Sequence, residues 1–234
     1  MTLSKRLNWV VAALAAMALA LTVVSAAPAD AGSERTYRVT ITNLTSGQPL
    51  TPFVVAAHSG STAIFNAGSS ASAGLQSLAE NGGVPDLVAE LSGNSAVGDV
   101  SVAAPSPVGP FGPGESVSTY ITSTPGARKL SVAGMLICTN DGFGAINSVQ
   151  LNANGKTQTV YGQAYDAGTE INTENYDDLV PPCDGNGQTG SSDPTLAENG
   201  AVHHHAGIQG GADLSPGVHG WTNPVIRVTI EPVG

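Results

Sequence analysis

Two short acidic stretches hold the residues whose types and spacing could do chemistry. The first, Thr139-Asn140-Asp141-Gly142-Phe143, closes an apolar, β-rich run from Leu130 to Cys138; the second, Asp166-Ala167-Gly168-Thr169-Glu170, closes another from Thr157 to Tyr165. Asx-Gly after a strand is also ordinary turn chemistry, because Asp and Asn bond their own backbone and tolerate left-handed conformations. Taken together, the stretches offer the carboxylates of Asp141, Asp166 and Glu170, with Asn140 and backbone carbonyls as further oxygens. If the two runs lie in neighbouring strands that end at one edge of a sheet, the loops meet there. Oxygen-rich loops at one end of a β-sandwich make a seat for a hard cation such as Ca²⁺, which takes six to eight oxygen ligands.

A second cluster is the run His203-His204-His205. In an extended segment His203 and His205 share one face and could ligate Zn²⁺ or Cu²⁺, with His219 or His58 as a third ligand. The plainer reading is a partly exposed strand whose histidines pack or hydrogen-bond. Nucleophilic catalysis has little to stand on, since the chain holds no G-x-S-x-G elbow. No acidic pair is singled out for glycoside hydrolysis, and the aromatic content of 5% suits a sugar-cleaving cleft poorly. No Gly-rich phosphate loop is present either. A binding protein is expected, not an enzyme.

Composition narrows the partners. Met1 to Arg6 is a short basic segment, Trp9 to Val24 is apolar without a charge, and small residues follow at Ser25-Ala26-Ala27 and Ala29-Asp30-Ala31. That is the pattern of a secretory signal peptide over residues 1–31, with cleavage expected after Ala31 or Ala27. The remaining residues, 32–234, suit one domain exported from the cytoplasm and free of the membrane. They carry 6 basic against 17 acidic residues, a net charge of −11. Such a chain repels nucleic acid and anionic membranes and concentrates cations near its carboxylates. The partner left to expect is an extracellular protein or a glycan. In an exported chain the two cysteines, Cys138 and Cys183, read as a disulfide, with a free buried pair as the alternative.

The elements that must position these residues are mostly strands. Tyr37 to Leu44, Ser116 to Thr122 and Val225 to Val233 alternate apolar with polar residues, the period of a half-buried strand. Phe53 to His58 is apolar enough to be central. Val100 to Ala104, Lys129 to Cys138, Phe143 to Leu151 and Thr157 to Tyr165 complete the set. Ser72 to Asn81 places Leu75, Leu78 and Ala79 on one helical face behind a Ser72 N-cap, and Gly82-Gly83 stops it. A second short helix starts at Val84-Pro85-Asp86 and stops at Gly93. Asn172 to Asn199 is polar and acidic with no apolar period, and reads as a long loop. The order predicts an all-β, antiparallel sandwich with two short helices inserted at one edge and the terminal strands close together.

Several of these stretches resemble the spondin N-terminal domain family. YRVTITNLTSGQPLTPFVVAAHS is similar to its opening strand pair and LQSLAENGGVPDLVAEL to its helical insertion. LSVAGMLICTNDGF, YDAGTEINTE, and HHHAGIQG with WTNPVIRVTI are similar to its later segments, so that the resemblance spans nearly all of residues 32–234. It implies a C2-like β-sandwich with a divalent cation, Ca²⁺, at one end, ligated by Asp141 and Asp166. Glu170 stands where animal members tend to have Asp, and Asn140 would add a carbonyl oxygen. Gly142-Phe143 replaces a tryptophan-containing version of the first loop, so the partner binding of animal members is not implied.

Overall fold

The computed structural model describes residues 33–183 and 193–233; the expected signal peptide, residues 1–31, lies outside them. Among these described residues, nine strands, three helices and two 3-10 turns follow one another. β1 (Arg35–Asn43), β2 (Phe53–His58), α1 (Ala73–Asn81), α2 (Val84–Ser92), β3 (Val97–Ala103), β4 (Ser116–Ser123) and β5 (Lys129–Met135) form the first half. β6 (Gly142–Gln150), β7 (Gln158–Asp166), β8 (His203–His204), α3 (Pro216–His219) and β9 (Ile226–Val233) form the second. All strand pairs are antiparallel, in the order β3-β2-β5-β6-β7-β9-β1-β4, with β8 added to β7.

β7 turns this order into a sandwich. Its last residues, Gln163 to Asp166, pair with β6, whereas Gln158 to Gly162 pair with β9. One sheet is therefore β3-β2-β5-β6-β7 and the other β7-β9-β1-β4. At the far seam the end strands β3 and β4 are joined by side chains: Ser101 Oγ and Thr119 Oγ1 share a hydrogen bond of 2.6 Å, and Thr122 N donates to Asp99 Oδ2 at 2.7 Å. The second of these satisfies one backbone N–H that the edge strand β4 would otherwise leave open.

The alternating strands put their apolar sets inward. Tyr37, Val39 and Ile41 of β1 meet Val228 and Ile230 of β9, Phe53 and Val55 of β2 and Leu130 and Val132 of β5 in the core between the sheets. β1 and β9 pair from Thr36↔Val233 to Asn43↔Ile226, so the terminal strands do lie together. β2 is buried at every residue because its other face is covered too. There Leu75, Leu78, Leu87 and Leu91 of the helices pack on Val54, Ala56, Ala133 and Phe143. The helices enter beside the edge strand β3 and spread over the outer face of its sheet. Their ends follow the sequence: Ser72 Oγ accepts from Leu75 N at 3.2 Å, and Gly82 closes α1 with φ 66°.

Cys138 and Cys183 are bonded, with Cα atoms 5.2 Å apart. The bridge sits in a small separate core with Leu179, Ile208 and Leu214. The Asn172–Asn199 segment is thus more than a polar loop over its described part. The 3-10 turn Tyr176–Asp178 leads Leu179 into that core.

Candidate cation site at the paired strand ends

The site is built by the β6–β7 ladder. The apolar runs that end in the acidic stretches are β5 and β7, and β6 lies between them; they are not neighbours. The acidic stretches nevertheless meet, because Asp141 precedes the first residue of β6 and Asp166 is the last of β7, and antiparallel pairing sets Gly142 opposite Asp166. Ala167 N donates to the Asp141 carbonyl at 3.1 Å. One residue further in, Phe143 stacks on Tyr165 at 5.6 Å between ring centroids, with Phe65 on one side and His204 on the other. Cross-strand aromatic pairs fix register, and this one holds the two aspartates at the same level.

The turn into β6 is tight. Thr139 Oγ1 donates to the Leu136 carbonyl at 2.6 Å and accepts from Gly142 N at 2.8 Å. A β-carbon at Gly142 would stand 2.5 Å from that oxygen. After β7, Gly168 has φ 68°, and a β-carbon there would stand 2.7 Å from Ala201 N. Both constraints act on the segment that surrounds Asp141. Gly168→Ala is expected to destabilise the protein by about 1–3 kcal/mol, read as a lower urea midpoint, whereas an unchanged midpoint would show that the loop has slack.

Asp141 is 0% exposed and Asp166 1%. Asp141 Oδ2 accepts from Thr169 N (2.7 Å), Glu170 N (3.1 Å) and the Thr169 hydroxyl (3.2 Å). Among the described residues, its Oδ1 is buried with no hydrogen-bond partner. Asp166 Oδ1 accepts from Gly168 N at 2.8 Å, and its Oδ2 from Asn172 Nδ2 at 2.7 Å. Burial, and then the charge of Asp166, push the Asp141 carboxyl up to about 6, even though the amides of Glu170 and Thr169 favour its anion. Two buried carboxylates whose charges oppose each other, one with a bare oxygen, leave an uncompensated negative centre.

Glu170 and Asn140 are drawn elsewhere. Glu170 Oε1 accepts from Asp193 N at 3.0 Å. Burial first, then the carboxylates of Glu80, Asp141 and Asp193, raise the Glu170 carboxyl to about 7. Asn140 Oδ1 accepts from Thr173 N at 3.1 Å, so it fastens the following loop. Of the four expected residues, Asp141 and Asp166 stand together at the paired strand ends, while Glu170 Oε1 and Asn140 Oδ1 are engaged by neighbouring backbone amides. Among the described residues, no group of three or more His, Cys, Asp or Glu side chains is arranged to hold a metal ion.

The histidines do not assemble into a metal site. His203 Nδ1 donates to the Ala201 carbonyl at 3.0 Å, and the ring lies 3.7 Å from Asp166 Oδ1. That carbonyl first, with Asp166 behind it, raises its pKa. His205 Nδ1 accepts from Gly207 N at 2.9 Å, which puts the proton of the neutral ring on Nε2. A neutral ligand bound through Nε2 needs that proton on the other nitrogen. Burial lowers the His205 pKa. Neither proposed third ligand joins them, as His58 bonds the Ser59 carbonyl and Ser131 Oγ, both at 2.7 Å. His219 Nδ1 accepts from Ser215 N at 3.0 Å.

Sequence reasoning passed over the residues that hold the loops. Asn172 supports Asp166, and Thr169 supports Asp141. Glu174 is buried at φ 59°, and its carboxylate accepts from the amides of Gln209, Gly210 and Gly211 at 2.5–2.8 Å. The only signal for this latch was the Gly210-Gly211 pair opposite an acidic segment. Compared with known proteins, the sequence matches no family model, and no curated protein matches it.

Proposed function

We propose that this chain is an exported, non-enzymatic binding module of the spondin N-terminal type, with a divalent cation, Ca²⁺, held by Asp141 and Asp166. One observation carries the reading: the buried Asp141 Oδ1 has no partner among the described residues, and it belongs to a carboxylate beside a second one. A hard cation would supply the missing charge and oxygen coordination there. The residues fit it in part, with two carboxylates as anionic ligands and further oxygens to come from backbone, water or Thr169. The chain's own contribution is to fix both aspartates by β-pairing and to tie the Thr169-Glu170 amides to the remaining Asp141 oxygen.

Both aspartates are sealed from solvent, which suits a loop-ordering role better than acid–base work on a substrate. Export is compatible with the Cys138–Cys183 bridge, since such bonds persist in an oxidising compartment. The ordered loops would present a surface to an extracellular partner. Calcium added to chelator-treated protein is expected to raise the melting temperature of the wild type and not that of Asp141→Ala. No shift in the wild type, or an equal shift in both, counts against the proposal.

A further inference from the structure

Among the described residues, helices α1 and α2 pack on the other sheet, and the outer face of the β7-β9-β1-β4 sheet, open except at the buried Thr42, differs in chemistry from the rest of the chain. Across its middle, Ser118, Thr40, Thr229 and Thr159 stand side by side, one from each strand. One level along, Ser116, Thr42, Arg227 and Tyr161 make a second row. On the other side of the hydroxyl row, Tyr120 pairs with Arg38 and Arg38 with Glu231. With three inter-strand gaps, each row spans about 14 Å.

Three properties point to one class of occupant. The hydroxyls are preorganised: Thr40 and Ser118 share a hydrogen bond of 2.8 Å, Thr42 and Ser116 one of 2.9 Å, and Arg227 Nη2 donates to Thr42 Oγ1 at 3.3 Å. Short hydroxyl side chains lose little conformational entropy on binding. Tyr120 and Tyr161 remain 60% and 55% exposed, which offers two aromatic surfaces on a polar sheet. The charge is inverted. Two of the six basic residues beyond residue 32 stand here, with a single acidic residue, in a chain otherwise dominated by carboxylates. Glu231 is taken up by Arg38 at 2.6 Å, and this leaves the exposed Arg227 beside Tyr161.

We propose that this face binds an acidic, uronate-bearing polysaccharide. Arg227 takes a sugar carboxylate through its planar fork of donors. Tyr161 receives the apolar face of the adjoining ring, and the hydroxyl rows exchange hydrogen bonds with sugar hydroxyls. Charge complementarity selects this occupant, because residues 32–234 carry a net charge of −11 that repels a polyanion, whereas this face holds two arginines against one acidic residue. A protein interface would need a more apolar centre, and a nucleic acid more phosphate-neutralising cations.

Affinity electrophoresis through gels holding sodium polygalacturonate tests this, run in chelator so that the outcome is independent of the cation site. Wild type is expected to be retarded, with retardation lost in 0.5 M NaCl and absent in gels holding neutral dextran. Tyr161→Ala combined with Arg227→Gln should weaken binding at least tenfold. Lys129→Gln, which removes a positive charge from the opposite sheet, should leave it unchanged. No retardation of the wild type, equal retardation by dextran, or undiminished binding by the double variant would overturn the proposal.

Discussion

Replacing Cys138 and Cys183 together by serine is expected to lower the stability of the fold by about 4 kcal/mol, the chain-entropy value for a closed loop of this length. The bonded residues are 45 apart in sequence. In a domain of this size that corresponds to a fall in melting temperature of roughly 8–16 °C. Burial adds to the effect, because Cys138 is 1% exposed beside Leu179, Ile208 and Leu214 and a serine hydroxyl there finds an apolar setting. The loss should be global and should not reach the aspartates. Gln48 already clamps the turn that carries Asp141, with Oε1 accepting from Cys138 N at 2.9 Å and Nε2 donating to the Cys138 carbonyl at 3.2 Å. Urea denaturation of the double variant would show the drop, and its calcium response should persist. A midpoint equal to that of wild type would mean that the small core holds the segment without the bond.

The second large effect concerns pH. In the folded chain the Asp141 carboxyl is pushed up to about 6, and in the unfolded chain it returns to about 4. The folded state therefore holds this proton more tightly. Its contribution to stability is fully present below about pH 4 and is lost as pH rises through about 6. The difference of roughly two pKa units corresponds to about 3 kcal/mol. Glu170, raised to about 7, acts in the same direction over a slightly higher window. Chelator-treated protein should accordingly be more stable at pH 5 than at pH 7.5, opposite to the usual acid destabilisation of paired carboxylates. Asp141→Asn should remove about 1.4 kcal/mol of the difference between these two pH values, roughly half of the full effect because pH 5 lies midway between the two pKa values; the amide carries no charge at either pH. Denaturation at the two pH values checks it. A wild type and variant with the same pH dependence would show that Asp141 is not strained by its charge.

The strands were legible in sequence wherever one face alone is buried, because burial then imposes the alternation seen in β1, β4 and β9. β2, apolar throughout, was legible as central for the complementary reason: it is covered by the core on one face and by helices on the other. The helix ends were legible from Ser72 and Gly82, whose roles are local. The convergence of Asp141 and Asp166 could be anticipated because a ladder fixes it. The strand assignment behind it was off by one, since β6 separates β5 from β7. What stayed hidden depends on polar side chains reaching across the fold. Nothing periodic marks Asn140 as the partner of Thr173, Glu170 as the acceptor for Asp193, or Glu174 as the guest of the Gln209–Gly211 amides. The two-residue β8 is also too short to carry a period, and only its pairing to Tyr165 and Asp166 defines it.

The sequon Asn43-Leu44-Thr45 makes the same distinction between motif and context. Asn43 is 0% exposed, and its Nδ2 donates to the Gln48 and Phe111 carbonyls at 2.8 and 3.3 Å, so the pattern builds a turn and is closed to glycan attachment.

The central claim is that two aspartates brought together by β6 and β7 need a cation to balance them. Isothermal titration of calcium into chelator-treated protein at pH 7.5 tests it most directly. One saturable site is expected in the wild type, with a loss of at least tenfold in affinity for both Asp141→Asn and Asp166→Asn. Absence of binding heat in the wild type, or equal affinity in the variants, would contradict it.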